Sequence, residues 1–379
     1  MSNEPLTTMM QRLRGWLVGE ALEPAIWQSL AAWELSEPLR AQAFRLTASN
    51  VAEQIQQRSH LLRKIYPAFR QLGRKILGDR DRCERASSHG DDTESEELRL
   101  LRILWCLWLP LATQLAHQRQ QQGQPLIQGL LGGQGTGKTT LGKILKLILE
   151  QLGYRLLSLS LDDLYKTYEE RLQLQALDPR LLWRGPPGTH DIALGLAVLD
   201  RVLRAEPGQT VAIPRFDKSA WNGAGDRTDA EIVQDIDIVL FEGWFVGVQP
   251  IDPIALTAAP PPITTEADRA FARDMNARLQ AYLPLWDRLD RLMVLYPLDY
   301  RLSQQWRRQA EQRAIAAGKT GMTDVEIDQF VEYFWRALHP RLFIEPLVSA
   351  PTQVDLVIAI GPDRSPVLVY RPQDRQPLP

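Results

Sequence analysis

Cysteine is nearly missing from this chain, with only Cys83 and Cys106 in 379 residues. Two thiols build neither a disulfide framework nor a cysteine-rich metal cluster, which suits a reducing compartment. Net charge is nearly absent too. The 44 Lys and Arg face 46 Asp and Glu, a formal −2, so nothing electrostatic argues for a nucleic-acid partner or an anionic membrane. The amino terminus, Met1-Ser2-Asn3-Glu4-Pro5-Leu6, has no basic n-region or apolar core, and it is not the Arg- and Ser-rich, acid-poor type of organelle transit peptide. Nor is there an uninterrupted apolar run of bilayer length. The nearest, residues 98–115, is broken by Arg99, Arg102 and Pro110, and its continuous part is about half a span, so a buried helix is expected. No internal repeat occurs at solenoid periods. What these absences leave is a cytoplasmic globular protein with no membrane and no nucleic acid to bind. A hydrophobic content of 44% and this length suit one large domain plus an accessory region.

What is present is a complete phosphate loop. Gly132-Gly133-Gln134-Gly135-Thr136-Gly137-Lys138-Thr139 satisfies G-x-x-x-x-G-K-[ST] and is followed by Thr140. A short apolar segment, 126–131, precedes it as a buried strand would. Apolar residues at helical spacing follow it, through Leu141, Ile144, Leu145 and Ile148. Strand, Gly-rich turn and helix start gather free backbone N–H groups around one point, with the helix dipole behind them. Lys138 is expected to reach the β/γ-phosphates of a nucleotide, and the Thr139 hydroxyl to join a Mg²⁺ shell.

The rest of the chain divides around this loop. Residues 1–120 read as a helical N-terminal region, with Trp16, Leu17, Leu22, Ile26, Leu61, Leu62 and Ile65 among the residues at three- and four-residue spacings. Within it, the polar stretch 78–97 reads as a solvated linker or mobile loop. Residues 121–379 alternate strands with helices, the pattern of an α/β fold with a mostly parallel sheet flanked by helices. Expected strands are 155–161, 210–213, 238–241, 291–295 and 354–360. Ligands in such sheets bind at the carboxyl ends of strands. The Pro-rich stretch 249–268 reads as a loop.

Several strand ends carry chemistry. After 155–161 come Asp162, Asp163, Leu164 and Tyr165; either Asp could take a proton from a substrate hydroxyl, or serve as a helix cap. Ile238-Val239-Leu240-Phe241 runs into Glu242, a Walker-B-like order that would place a carboxylate on Mg²⁺ directly or through water. Arg184-Gly185-Pro186-Pro187-Gly188-Thr189-His190-Asp191 and Pro214-Arg215-Phe216-Asp217-Lys218-Ser219 add cations suited to an acidic small molecule. Arg307 lies in a basic helix of the kind that closes as a lid over a transferring phosphate.

Taken in order, these motifs, together with Gly225-Asp226-Arg227, Trp306-Arg307-Arg308-Gln309-Ala310-Glu311 and Gly318-Lys319-Thr320-Gly321-Met322, resemble plant-type D-glycerate 3-kinase. That family is related to the phosphoribulokinase, uridine kinase and pantothenate kinase group of P-loop kinases. The resemblance covers about residues 125–362. It implies transfer of the γ-phosphoryl group of ATP, with Mg²⁺, to the 3-hydroxyl of D-glycerate, a photorespiratory step in photosynthetic organisms. By the same resemblance Asp162 is the general base, Glu242 the metal-associated acid and Arg307 the lid arginine, while Tyr165, Arg184, His190, Arg215 and Lys218 join Asp162 around the acceptor. Ala224 stands where relatives carry a basic residue, and 249–268 aligns poorly. A related kinase with another hydroxylated acceptor is the nearest alternative, and a regulatory or assembly NTPase is a more distant one. Oligomeric state, a homo-oligomer included, is left open.

Overall fold

The computed structural model describes residues 6–78, 96–316, 318 and 321–374. Most of the polar linker expected at 78–97 and two residues of the late motif, Lys319 and Thr320, therefore lie outside the described residues. Among the described residues there are eight strands: β1 (Leu126–Gly132), β2 (Leu156–Ser160), β3 (Thr210–Asp217), β4 (Asp226–Gln234), β5 (Ile238–Gly243), β6 (Arg291–Pro297), β7 (Leu356–Ile360) and β8 (Pro366–Tyr370). Six form one sheet in the order β2-β5-β1-β6-β7-β8. All its neighbours pair in parallel except β8, which runs antiparallel to β7 at the edge. The central strands are buried along almost their whole length, as expected of a parallel sheet covered on both faces.

One expected strand belongs elsewhere. Residues 210–213 extend to Asp217 and pair antiparallel with β4 in a separate two-stranded ribbon. The reason lies in the side chains. Val211 and Ile213 are buried while Thr210 and Ala212 are exposed, an alternation that fits a one-sided ribbon rather than a two-sided core strand.

Helices Leu6–Leu17, Ala25–Ser36, Pro38–Ala43 and Val51–Gly78 make up the N-terminal region. A further helix, Glu96–Gln122, contains a π-helical segment at Leu104–Trp108. By length and apolarity it could cross a membrane, yet 78% of its most apolar window is buried inside the protein. The boundary expected near residue 120 is no break in packing. Met9, Leu13, Leu62, Leu104 and Trp105 share one core with Leu130, Ile144, Met293 and Ile358 of the sheet and the phosphate-loop helix. A second core, with Phe241, Phe245, Tyr282 and Val357, fills the opposite face.

Candidate active site

Three neighbouring strands deliver the chemistry. β2, β5 and β1 lie side by side, and such strands are about 4.8 Å apart. The registers Leu130↔Glu242 and Ser160↔Glu242 then align the start of the phosphate loop, the Glu242 carboxylate and the turn carrying Asp162 at one end of the sheet. They open on a cleft of about 1030 Å³.

The phosphate loop takes the conformation its glycines allow. Gly135 and Gly137 have φ of 75° and 96°, in the left-handed region that favours glycine. A Cβ on Gly135 would stand 2.6 Å from that of Trp306. The Thr136 hydroxyl donates to the Gly133 carbonyl at 2.9 Å, bracing the loop. Helix Lys138–Gln151 starts with no side-chain cap, so its first N–H groups remain available to an anion. Lys138 donates to the carbonyls of Gly132 and Gly133 at 2.7 and 3.1 Å and faces Glu242 at 3.8 Å. Burial lowers the Lys138 pKa, against the pull of Glu242 and Asp162. Burial likewise raises that of Glu242, against Lys138.

Asp162 and Asp163 separate cleanly. The Asp163 carboxylate accepts from Ser160 N at 3.0 Å, closing a capping box on the turn Leu161–Leu164, and from Arg215 at 2.8 Å. Asp162 instead lines the cleft. It accepts from Lys218 Nζ at 2.6 Å and from the Tyr165 hydroxyl at 2.9 Å. Burial alone would raise the Asp162 carboxyl, but the Lys218 charge and these two hydrogen bonds outweigh it and hold it below the usual range. It is a carboxylate at neutral pH.

The expected acceptor contacts divide. Arg184, Lys218 and Tyr165 line the cleft, with Arg184 donating to the carbonyls of Gly223 and Ala224 at 2.7 and 3.0 Å. His190 does not line it. It is 2% exposed, stacks behind Tyr165 at 4.6 Å and bonds the Tyr282 hydroxyl through Nδ1 at 2.7 Å. Burial pushes its pKa down to about 3, so the ring is neutral. Arg215 also turns away from the cleft. It ties the ribbon to β2, bonding Asp163, Glu231 and the Ser158 carbonyl. For both residues the placement has one cause: membership of a polar segment does not tell which face of the turn a side chain takes.

On the far wall, Arg307 of helix Leu302–Ala316 lines the cleft, pairs with Glu311 at 3.0 Å and lies over Phe330 at 5.2 Å. Gly321 and Met322 line it too. Arg364 and Asn222 belong to the same cleft although no sequence motif marks them, and so does Trp306, which opens the motif around Arg307 without an assigned role. Arg364 donates to the Gly135 carbonyl at 2.7 Å and stacks over Trp306 at 5.0 Å. Arg364 and Asn222 come from widely separated turns, where no local pattern marks them.

Thr139 and Glu242 both line the cleft beside Lys138. No group of three His, Cys, Asp or Glu among the described residues could hold an ion by itself. Thr139 and Glu242 offer a hydroxyl and a carboxylate, hard oxygen donors that would fit Mg²⁺.

Comparison with known proteins places these features among kinases. No protein-family model matches the chain. It is 32% identical over 257 residues to chloroplastic D-glycerate 3-kinase of Arabidopsis thaliana, a match covering 64% of this chain. The chain spans about half of that relative's length, 54%. With a probable ATP-dependent kinase of Saccharomyces cerevisiae it shares 34% identity over 229 residues, covering 55% of this chain and 75% of the relative. Among solved structures, D-glycerate 3-kinase of Cryptococcus neoformans superposes with a TM-score of 0.60 at 27% identity, covering 69% of this chain and 98% of that one.

Proposed function

Because this chain belongs to the P-loop kinase family that includes D-glycerate 3-kinase, we propose that it transfers the γ-phosphoryl group of ATP to the 3-hydroxyl of D-glycerate. The products would be ADP and 3-phospho-D-glycerate, and in a photosynthetic host the reaction would return photorespiratory glycerate to use. One observation carries the reading: Asp162, held as an anion by Lys218 and Tyr165, lies on the cleft wall beside the phosphate loop.

In this reading the acceptor hydroxyl donates its proton to Asp162 as it attacks the γ-phosphorus. Lys138 leaves its own loop carbonyls to meet the β/γ-oxygens, and Arg307 neutralises charge from the opposite wall. Lys218 and Arg184 provide cations for the acceptor's carboxylate, with Lys218 also fixing Asp162. The transition state is loose, so positioning and charge carry most of the catalysis. Thr139 and Glu242 are the residues that would hold Mg²⁺, which would supply positive charge against that of the phosphates.

The experiment is ADP release from Mg·ATP with and without D-glycerate. Strong stimulation is expected. An unchanged rate would mean that water is the acceptor and the chain is an NTPase, whereas stimulation by other hydroxylated compounds alone would move it to a neighbouring kinase.

A further inference from the structure

The active cleft is larger than a small acceptor needs, and its two ends differ. Asp162 follows β2, two strands to one side of β1 and its phosphate loop. Arg364 lies in the turn between β7 and β8, beyond the phosphate loop on the other side. Phosphoryl transfer sets the attacking oxygen and the leaving ADP roughly in line through the γ-phosphorus. With the acceptor at Asp162 and the β/γ-oxygens at Lys138, the nucleoside must lie toward the Arg364 end.

Leu72 is the unexpected member of that end. It belongs to helix Val51–Gly78, outside residues 125–362 over which the kinase motifs run, yet it lines the cleft. Its helix packs on the phosphate-loop helix, with Lys64 Nζ at the Gln151 carbonyl. The two run antiparallel, and eight residues of helix span about 12 Å, which brings Leu72 level with Lys143. A Cβ on the next residue, Gly73, would stand 3.5 Å from Leu100 Cδ1. Leu100 in turn borders a small hollow of about 80 Å³ whose other walls include Gly137, Thr140 and Arg364. Leu72 is half-buried, packed on the N-terminal core and open to the cleft. Around it the cleft wall is polar, with Thr140, Lys143 and the Arg364 guanidinium, which lies over Trp306. A nucleobase has an apolar face and polar edges, so it can cover Leu72 while its edges meet these groups.

On the kinase reading of this cleft, we propose that Leu72 forms one wall of the nucleoside site. The N-terminal helices then set affinity for the adenosine half of the nucleotide, while the phosphate loop holds the phosphates. Which acceptor is phosphorylated does not enter.

The test is calorimetry of the full chain with Mg·ADP and with Mg·tripolyphosphate, which carries phosphates and no nucleoside. Leu72→Ala should weaken ADP about fivefold or more and leave tripolyphosphate unchanged. Leu72→Met, close to leucine in volume, should bind ADP as the unmodified chain does. Equal ADP affinity in Leu72→Ala and the unmodified chain overturns the proposal. So does an equal loss for both ligands, which would mean damage to the phosphate loop. If Leu72→Ala does not fold, or tripolyphosphate binds too weakly to measure, photolabelling of the unmodified chain decides. The probes are 2-azido-ADP and 8-azido-ADP, which carry the reactive group on opposite edges of the base. At least one should label the peptide around Leu72, and labels confined to residues after 125 with both overturn the proposal. Failure of the unmodified chain to bind ADP at all would overturn the kinase reading itself, and this proposal with it.

Discussion

At the scale of single residues, two adjacent carboxylates have been given different work by one turn. The capping box closed by Ser160 takes Asp163 out of the cleft, and Arg215 completes its hydrogen bonding. Asp162, one position earlier, is then free to face the phosphate loop. Asp162→Asn keeps the shape and an acceptor oxygen but cannot take a proton at neutral pH. It should lose about 10²–10⁴ in kcat, or roughly 3–5 kcal/mol of barrier, with ADP affinity almost unchanged. Asn caps as well as Asp, so Asp163→Asn should keep most of its turnover and lose mainly the tie to Arg215. Steady-state kinetics with an ADP-binding assay on the two variants separates them. A dead Asp163 variant beside an active Asp162 variant would reverse the assignment. Spacing alone could not make this distinction, because either residue of an Asp-Asp pair after a strand can serve as a cap. His190 shows the same limit. Its polar segment was legible, but the burial that leaves it neutral behind Tyr165 was not.

The N-terminal helices show what periodicity reveals about an element and what it leaves out. Their apolar spacing marked them as helices with a buried face, yet not what that face covers. Helix Val51–Gly78 lies against the phosphate-loop helix, with Lys64 Nζ donating to the Gln151 carbonyl at 3.2 Å. Leu13, Leu30, Leu62 and Ile65 are buried to within 1%. Losing each such contact costs about 1.5–3 kcal/mol, and net stabilities are only about 5–15 kcal/mol. A chain starting at Glu96 should therefore fail to give a cooperative, soluble fold. The full chain nicked between 79 and 95 should keep its two fragments together in size-exclusion chromatography. A shortened chain with native melting behaviour and full activity would contradict this. The core strands were legible for a different reason: each is a short apolar run, and β5 ends in an acid beside a phosphate loop. β3 misled because four residues cannot separate a one-sided ribbon from a core strand. β8 escaped because it is short, opens on Pro366 and has polar chain on either side.

At the scale of the whole molecule, the cleft is assembled from strand ends, a ribbon, a helix and the turn before β8, which meet only in the folded chain. The strand-end part was readable from motifs: the phosphate loop, Asp162 and Glu242 belong to three neighbouring strands of one sheet. Asn222 and Arg364 had no such signal, since their place depends on how distant segments pack. The central claim is that this assembly directs the γ-phosphoryl group to one hydroxyl of one acceptor. Phosphorus-31 NMR of a turnover mixture of the full chain, Mg·ATP and D-glycerate tests it most directly. The account predicts that ADP and 3-phospho-D-glycerate appear together in equal amounts. Inorganic phosphate in place of the ester, or a phosphoryl group on the 2-hydroxyl, would contradict it.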